Sequence, residues 1–505
     1  MMVLAGMVLA SAMRHKVLGC FCFLSIFGLA ITAASEEMAG SRPNILFVLT
    51  DDQGMGDLAC LGNKVLKTPH LDALYQRSAR FTDFQVSPTC APTRAALMSG
   101  KHPFYVGVTH TIMQREKMAL DTVILPQVLK QAGYSTGIFG KWHLGDDEEY
   151  LPQNRGFDEV LIHGAGGIGQ SGLGDFHVNK KNAYFDNVLL HNDRIVQTEG
   201  YCTDLFFRAG LAWLKEQSES GNPWFAMISL NAPHAPMIAP EKNAQRFLDL
   251  GYDEKTAGRY GMVENIDENM GLVLSKLKEW QMADDCLVIF MTDNGGTHLS
   301  GTLNGERVRH FNFNMRGAKN SPNEGGTHVP SFWSWKGRIP EGKNIDQLTA
   351  HLDVFPTLCQ LAGAPMPNGS KNWQGRSLLP LFQEQEAAWA DRKLFVHCAR
   401  WKPGQREKHR YEKCAVRTER WRLVNHTMLY DILKDPSELT DVAKDHPDVV
   451  AALQASFDEW WEETEPYLIN ENLPKISSDD QPLEVRYRQQ LAEQGIPKWN
   501  PKSLE

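Results

Sequence analysis

Residues 87–100 read SPTCAPTRAALMSG and place Cys90 just ahead of a predicted helix. Pro88 and Pro92 favour a turn, and Thr93 is the residue type that caps a helix such as the apolar run behind it. The N-terminal end of a helix carries partial positive charge and attracts anions. The stretch therefore predicts a cysteine beside an anion-binding site, and a thiolate nucleophile is the first interpretation.

Four short apolar runs elsewhere in the chain are each followed by polar residues of catalytic type. Such runs are typical of strands buried on both faces, and helical patterns separate them. The alternation predicts an α/β fold with a mainly parallel central sheet flanked by helices. The polar residues are Asp51 and Asp52 after run 45–50, Lys141 and His143 after 136–139, His234 after 224–230, and Asp293 and Asn294 after 286–291.

These polar residues are expected to meet, because open α/β sheets bind ligands at the carboxyl ends of their strands. The carboxylate and amide oxygens suit a hard divalent cation, Ca²⁺ or Mg²⁺, better than zinc. Arg94, Lys141 and Lys319 supply positive charge for an anion beside it. Taken singly, Asp51-Asp52 also fits a solvated turn, and Lys141 or His143 fits a surface charge or a loop histidine. The fourfold pattern favours one site.

The composition indicates a globular protein with a large and a small domain. The 505 residues are 42% hydrophobic and 22% charged, and the net charge of −9 argues against a nucleic-acid partner. We predict a catalytic domain over residues 42–390 and a C-terminal subdomain over 391–505, which contains an antiparallel sheet, a terminal helix and a tail. The basic stretch 400–413 either contacts a sulfated or carboxylated glycan or is a solvated loop.

The N-terminus has the pattern of an export signal. Arg14, His15 and Lys16 precede the apolar run 17–31, which is too short to favour a stable membrane span. We predict a signal peptide over residues 1–34, with translation starting at Met1 or Met13, and a periplasmic or extracellular protein, or a secretory or lysosomal one in a eukaryotic host. If six of the seven cysteines beyond the signal form disulfides, Cys90 is the candidate for the free thiol.

The segment around Cys90 has the form Cys-x-Pro-x-Arg, with Ser-Gly-Lys-His close behind, and an ordered set of short motifs accompanies it. They are Pro43-Asn44-Ile45 to Asp51-Asp52, Thr68-Pro69-His70-Leu71-Asp72, Gly140-Lys141-Trp142-His143, Ala232-Pro233-His234, Thr292-Asp293-Asn294-Gly295, Arg316-Gly317-Ala318-Lys319 and Glu324-Gly325-Gly326. Together they resemble the signature of the type I sulfatases, the formylglycine-dependent members of the alkaline phosphatase superfamily. The resemblance covers most of the chain and implies an alkaline-phosphatase-like large domain.

The resemblance also implies a modified nucleophile and a metal. Cys90 would be oxidised to formylglycine by a formylglycine-generating maturation enzyme, and the hydrated aldehyde, a gem-diol, would carry the nucleophilic oxygen. Arg94 would steady the modified residue. One calcium ion would be held by the residue at position 90 together with Asp51, Asp52, Asp293 and Asn294.

The remaining motif residues acquire roles in the same way. Lys141 and Lys319 would bind sulfate oxygens, His234 would protonate the leaving alcohol, and His143 would take a proton as sulfate departs and the aldehyde is restored. Dividing one displacement into two steps through a covalent intermediate lowers each barrier.

The substrate is open from the sequence. Export favours a sulfated carbohydrate over a small aryl sulfate, and the glycine-rich loop 163–176 is a candidate cover for the site. Two alternatives remain. One is a phosphonate monoester or phosphodiester hydrolase of the same superfamily, and the other is a sulfated-glycan binding protein in which Cys90 is never modified.

Overall fold

The computed structural model describes residues 38–176, 183–367, 373–383 and 388–504. The predicted signal peptide lies outside the described residues. The strands in chain order are β1 (Asn44–Thr50), β2 (Ala79–Phe81), β3 (Phe84–Gln85), β4 (Ser135–Lys141), β5 (Glu159–His163), β6 (Val188–His191), β7 (Arg194–Gln197), β8 (Trp224–Ser229), β9 (Cys286–Thr292), β10 (Ser300–Leu303), β11 (Glu306–Arg309), β12 (Ser331–Ser334), β13 (Asn344–Ile345), β14 (Thr349–Ala350), β15 (Leu394–His397), β16 (Cys414–Arg417), β17 (Trp421–Val424) and β18 (Met428–Asp431).

The α-helices alternate with these strands along the first three quarters of the chain. In chain order they are α1 (Pro69–Gln76), α2 (Cys90–Ser99), α3 (Leu125–Gln131), α4 (Cys202–Ser218), α5 (Glu241–Asp249), α6 (Glu254–Glu279), α7 (Glu324–Thr327), α8 (Val354–Leu361), α9 (Pro447–Thr464) and α10 (Pro482–Gln494). Among the residues described, no helix is long and apolar enough to cross a membrane.

A ten-stranded sheet forms the centre, in the order β13-β2-β12-β9-β1-β8-β4-β5-β6-β7. Its five middle strands, β9 to β5, run parallel, and antiparallel pairs flank them. Every residue of β8 and β9 is buried, as the continuous apolar runs predict. The predicted α/β fold with a mainly parallel sheet is confirmed.

Alternate residues of β1 enter two different cores, because successive side chains of a strand point to opposite faces. Ile45, Phe47 and Leu49 pack with apolar residues of α2, α3 and α8. Leu46 and Val48 pack with apolar residues of α1, α4 and α6. Helices therefore cover both faces, and the strand ends are left to form a site at the edge.

The start of α2 differs from the prediction. The helix begins at Cys90 with Thr89 as its N-cap residue, so Thr93 is not the cap. Pro92 is the third helical residue, a position whose amide has no partner within the helix. Proline is tolerated there, so the predicted turn through Pro92 is the first turn of the helix. Cys90 is consequently part of the helix N-terminus itself.

The C-terminal part contains the predicted antiparallel sheet, in the order β15-β16-β17-β18. Helix α9 packs on it through Leu453, Phe457, Trp460 and Trp461. The tail then crosses the large domain, where α10, which the sequence analysis did not predict, inserts Leu483 into the core. Near its end the tail bridges to β7 at Gln197 and Lys498.

The disulfides considered from the cysteine count are absent from the described residues. All seven of their cysteines are free thiols, and all except Cys60 are buried. Burial alone is enough to account for a cysteine in an apolar core such as that of Cys359.

Candidate active site

The carboxyl ends of β1, β4, β8 and β9 bring the sequence-predicted residues to one edge of the sheet. Asp51 and Asp52 follow β1, Lys141 closes β4, and Asp293 follows β9 directly. Asp52 N lies 3.3 Å from Asp293 Oδ1, which joins the ends of neighbouring strands. His234 arrives from the loop behind β8 and lies with its Nε2 3.9 Å from Asp52 Oδ2.

Cys90 enters this edge from the N-terminus of α2. Its side chain is 3% exposed. Burial raises the pKa of the thiol, but the ammonium groups of Lys141 and Lys319 outweigh it, so that the pKa lies below its ordinary value. A negative charge at position 90 is therefore stabilised by two cations and by the helix N-terminus.

Arg94, one helical turn after Cys90, ties α2 to the strand ends. Its Nε and Nη2 donate to Asp293 Oδ2 at 3.0 and 2.8 Å. Its Nη1 donates to Lys141 O at 3.0 Å and to Ser229 Oγ at 2.6 Å. The guanidinium thus fixes the position of the helix relative to β4, β8 and β9.

Two lysines pair with the two carboxylates that follow β1. Lys141 Nζ lies 2.7 Å from Asp51 Oδ2, and Lys319 Nζ lies 2.6 Å from Asp52 Oδ1. Burial raises the pKa of Asp51 to about 7 in spite of Lys141. For Asp52, burial also acts to raise the pKa, but Lys319 and His234 reverse the effect and hold it well below its ordinary value.

The oxygen donors fit a divalent cation. Asp51 Oδ1 and Asn294 Oδ1 are buried and have no hydrogen-bond partner among the described residues, which is costly unless a cation contacts them. Ligand atoms of Asp51, Cys90 and Asp293 lie within 4.8 Å of one another. Carboxylate and amide oxygens are the ligands that calcium and magnesium prefer.

A second acidic group, Asp83, Glu324 and His328, is less suited to a metal. Glu324 Oε1 already accepts hydrogen bonds from Arg417 and Arg422 at 3.0 and 2.5 Å. Since two guanidinium groups neutralise this cluster, it is a buried ion-pair network.

The two histidines have defined tautomers. His143 Nε2 lies 2.9 Å from Thr111 O and must donate to it, which leaves Nδ1 as an acceptor with no hydrogen-bond partner in the part of the chain that the structure describes. His234 Nδ1 donates to Ala235 O at 2.7 Å, so its Nε2 is free to exchange a proton. Burial lowers the pKa of both imidazoles, and Lys141 contributes to this shift in each.

The glycine-rich loop covers these histidines. A Cβ atom on Gly166 would lie 2.4 Å from His143 Cε1, and one on Gly167 would lie 3.3 Å from His234 Cε1. Glycine at the first position is therefore required for the loop to approach the imidazole. The position over the site agrees with the sequence-based expectation.

Several supporting residues were missed from the sequence. Arg259 Nη2 donates to Asp52 O at 3.0 Å, Ser229 Oγ receives Arg94, and Thr111 O holds His143. None belongs to a motif with its own chemistry, and each reaches the site through the fold. No local signal in the sequence could have identified them.

Comparison with known proteins agrees with this geometry. The family model described as Sulfatase matches residues 43–364, which is more than half of the chain. The chain belongs to the sulfatase family. It is accordingly a sulfuric ester hydrolase. A second family model, described as N-sulphoglucosamine sulphohydrolase, C-terminal, matches residues 319–463 of this sulfatase.

Curated relatives and a solved structure share most of their length with this sulfatase. N-acetylgalactosamine-6-sulfatase of Canis lupus familiaris is 31% identical over 70% of this chain and 68% of its own. Steryl-sulfatase of Homo sapiens is 27% identical over 73% of this chain and 75% of its own. The crystal structure of Ps i-CgsB in complex with k-i-k-neocarrahexaose matches with a TM-score of 0.74 and 26% identity, covering 90% of this chain and 98% of that chain.

Proposed function

We propose that this protein is an exported sulfatase that hydrolyses a sulfate ester of a carbohydrate, using a formylglycine made from Cys90 and one calcium ion. The observation that carries the proposal is the position of Cys90, at a helix N-terminus and within reach of the carboxylates of Asp51 and Asp293. Lys141 and Lys319 place positive charge on the same position.

An oxygen nucleophile fits this environment better than a thiolate. Calcium, which the surrounding oxygens suit, binds oxygen ligands in preference to sulfur. The maturation enzyme, with an external oxidant that accepts two electrons, would convert the Cβ of Cys90 to an aldehyde and release the sulfur as sulfide, and the Cys-x-Pro-x-Arg segment supports this. When hydrated, the aldehyde supplies the oxygen that attacks the sulfur atom of the sulfate ester.

Asp51, Asp52, Asp293 and Asn294, with the residue at position 90, would hold the calcium ion. The partnerless oxygens of Asp51 and Asn294 support this assignment. When bound, the ion supplies positive charge that stabilises an ionised oxygen nucleophile and the sulfuryl oxygens in the transition state.

The chain's own cations and histidines would carry out the other steps. Lys141 and Lys319, already directed at this edge, would bind sulfate oxygens. His234, once protonated at Nε2, would donate that proton to the leaving alcohol. His143 would accept a proton at Nδ1, the atom that has no partner, when sulfate is expelled.

Substrate class and localisation rest on separate support. The canine relative is named for a sulfated sugar, as an N-acetylgalactosamine-6-sulfatase, and the matched structure is a complex with k-i-k-neocarrahexaose. The export interpretation rests on the basic residues and apolar run of the first 34 residues.

Mass spectrometry of the Cys90 peptide from the native host tests the nucleophile. We expect a lighter peptide that carries an aldehyde in place of the thiol, while the peptide of Cys359, a buried free thiol, keeps the mass of cysteine. The Cys90→Ala variant should keep the fold and lose turnover. Cysteine mass at position 90 in active enzyme would contradict the mechanism, whereas cysteine mass in a protein that binds sulfated sugars without turnover would favour the glycan-binding alternative.

Paired esters separate the remaining enzyme alternative. We expect the wild-type protein to hydrolyse 4-nitrophenyl sulfate and N-acetylgalactosamine 6-sulfate faster than 4-nitrophenyl phenylphosphonate. A large preference for the phosphonate ester would identify a phosphonate monoester hydrolase instead.

A further inference from the structure

Arg400, the first residue of the basic stretch 400–413, contacts the loop that carries Lys319. Arg400 Nε and Nη2 donate to Asn320 Oδ1 at 3.2 and 2.9 Å. Asn320 follows Lys319 directly, and its own N donates to Pro88 O, two residues before Cys90, at 2.9 Å. Arg400 therefore touches the loop that supplies Lys319.

The opposite neighbour of Arg400 is the loop that holds His143. Arg115 O accepts from His110 N at 3.3 Å, and the Arg115 side chain donates to Ala399 O and Trp401 O, so the backbone of Arg400 lies against this loop. In agreement, burial and the positive charges of Arg400 and Arg115 lower the pKa of His110 to about 3. The next residue, Thr111, accepts the hydrogen bond from His143. Arg400 thus lies between the loops that carry Lys319 and that position His143.

The backbone around Arg400 is firmly held. Arg115, which is 1% exposed, donates to the carbonyls on either side of it, Trp401 O at 2.8 Å and Ala399 O at 3.2 Å. The Arg115 guanidinium also stacks on Trp401 at 4.8 Å from the ring centre. Ala399 adopts a left-handed backbone conformation with φ 49°. This conformation costs free energy in residues other than glycine and persists where surrounding contacts enforce it.

The charge of Arg400 is not neutralised within the part of the chain that the structure describes, where no carboxylate forms an ion pair with it. Arg406 and Arg410 of the same stretch do have acidic partners, such as Glu407 and Asp458. Arg400 is exposed, and Asn320 takes up the Nε edge of its guanidinium. The Nη1–Nη2 edge remains a fork suited to a carboxylate or sulfate.

His110, on the loop beside Arg400, provides a neutral hydrogen-bond donor. Its Nδ1 accepts from the backbone N of Thr111 at 2.8 Å and of Ile112 at 3.2 Å, so the ring proton is on Nε2. Because its pKa is about 3, His110 stays neutral and keeps this tautomer at ordinary pH.

We infer that Arg400 recognises a second anionic group of the substrate, a carboxylate or a second sulfate ester, with His110 Nε2–H as a neighbouring donor. The inference rests on the proposed function and specifies its substrate: a polyanionic sugar in which one sulfate reacts and another acidic group is bound. The alternative is a purely structural role, in which Arg400 only supports Asn320 and the Lys319 loop.

The test compares sugars that differ by one charge. Wild type, Arg400→Gln, Arg400→Lys and the control Lys402→Gln, an exposed lysine two residues away, are assayed at low salt. The substrates are N-acetylgalactosamine 6-sulfate, its 4,6-disulfate, and an unsaturated chondroitin disaccharide with a 6-sulfate and a carboxylate. The second and third separate a sulfate from a carboxylate as the recognised group.

We expect Arg400→Gln to raise KM about tenfold for the doubly charged sugar that is recognised, since a charge-assisted hydrogen bond contributes that much. KM for the monosulfate and kcat for all three should change less than about twofold, because Arg400 does not contact the reacting atoms. Arg400→Lys should raise KM about threefold, since the charge stays and the fork is lost. Lys402→Gln should match wild type.

Two outcomes would overturn the inference. An equal loss of kcat/KM on all three sugars in Arg400→Gln would make Arg400 a support for the Lys319 loop. Unchanged kinetics on every sugar would leave it with no part in recognition.

Calorimetric binding distinguishes this failure from failure of the proposed function. The same sugars are titrated into Cys90→Ala, with and without Arg400→Gln. Suppose that a doubly charged sugar binds more tightly, depends on Arg400 for this binding, and is not hydrolysed by wild type. That result would contradict the proposed function for this sugar and support the inference about Arg400. Hydrolysis that does not depend on Arg400 would support the proposed function and contradict the inference. If the sugars are neither bound nor hydrolysed, both the proposed function and the inference are contradicted.

Discussion

Asp52 and His143 both adopt left-handed backbone conformations, with φ of 66° and 63°. For residues other than glycine this costs on the order of 1 kcal/mol each and persists where surrounding contacts enforce it. The Asp52 carbonyl receives Arg259, and the His143 ring is fixed by Thr111 O. The strain therefore falls on a proposed metal ligand and a proposed proton acceptor, where it directs side chains into the site.

Calcium is expected to increase the stability of the folded protein. Burial, and after it the neighbouring Asp52 and Cys90, raise the pKa of Asp51 in spite of Lys141, so a bound cation would favour the ionised carboxylate. Calcium added to chelator-treated protein at about 100 times its Kd should stabilise the native state by about 2.7 kcal/mol and raise Tm by a few degrees. Differential scanning fluorimetry measures the shift.

Asp51→Asn should lose most of this shift. Asp284→Asn, at a surface ion pair with Lys336, is the matched control and should keep it. The same calcium shift in both variants would show that Asp51 does not hold the ion.

At the scale of elements, the strands that build the site were predictable because they are buried on both faces. The apolar runs preceding Asp51, Lys141, His234 and Asp293 correspond to β1, β4, β8 and β9. The start of α2 was not predictable from turn propensity, since Pro92 fits a turn and a first helical turn equally well. Tertiary packing of α2 decides between them.

The supporting contacts could not be inferred in the same way. Arg400 approaches Asn320 across 80 residues of sequence, and Arg259 approaches Asp52 across 207. A single sequence carries no signal for such long-range pairs, whereas a strand end or a cap is a local pattern. The motif residues were thus foreseeable, and the residues that orient them were not.

Gly140 in β4 provides the element-scale prediction. It adopts φ 121°, and a Cβ there would lie 1.9 Å from Ser229 O on the neighbouring strand. Gly140→Ala should therefore push β4 away from β8, displace Lys141 and destabilise the protein by at least about 3 kcal/mol. Urea unfolding followed by circular dichroism measures the loss.

Gly172→Ala is the control, since no atom of the described residues lies within 4 Å of a Cβ at that position. It should change stability by less than about 0.5 kcal/mol. Equal urea midpoints for the Gly140→Ala variant and wild type would mean that β4 can shift freely, contrary to the packing described above.

At the scale of the whole molecule, a buried ionic network connects the C-terminal sheet to the large domain. Arg422 on β17 donates to Glu324 Oε1 at 2.5 Å and to Gln85 Oε1 at 2.9 Å. Arg417 on β16 donates to the same Glu324 oxygen and to Asp83. Because Glu324 begins α7, just after the Lys319 loop, the small sheet also supports the loop that carries the proposed sulfate-binding lysine.

Removing one arginine from this network should destabilise the protein. Burial alone would raise the pKa of Glu324, but Arg422 and Arg417 hold it well below its ordinary value of 4.5. Arg422→Met removes one partner from a buried carboxylate and should destabilise the protein by about 2–4 kcal/mol at pH 7. The same change at Arg420, a 44% exposed partner of Asp431, should destabilise the protein far less, because solvent screens this ion pair.

The pH dependence gives the sign of the effect. A carboxyl group whose folded-state pKa is depressed stabilises the fold above its unfolded pKa and loses that contribution as the pH falls. The difference in urea midpoint between wild type and Arg422→Met should therefore be largest near neutral pH and shrink as the pH drops below about 4.5. A difference that stays constant as the pH is lowered from 7 to 3 would mean that Arg422 stabilises the interface by packing and not by its charge.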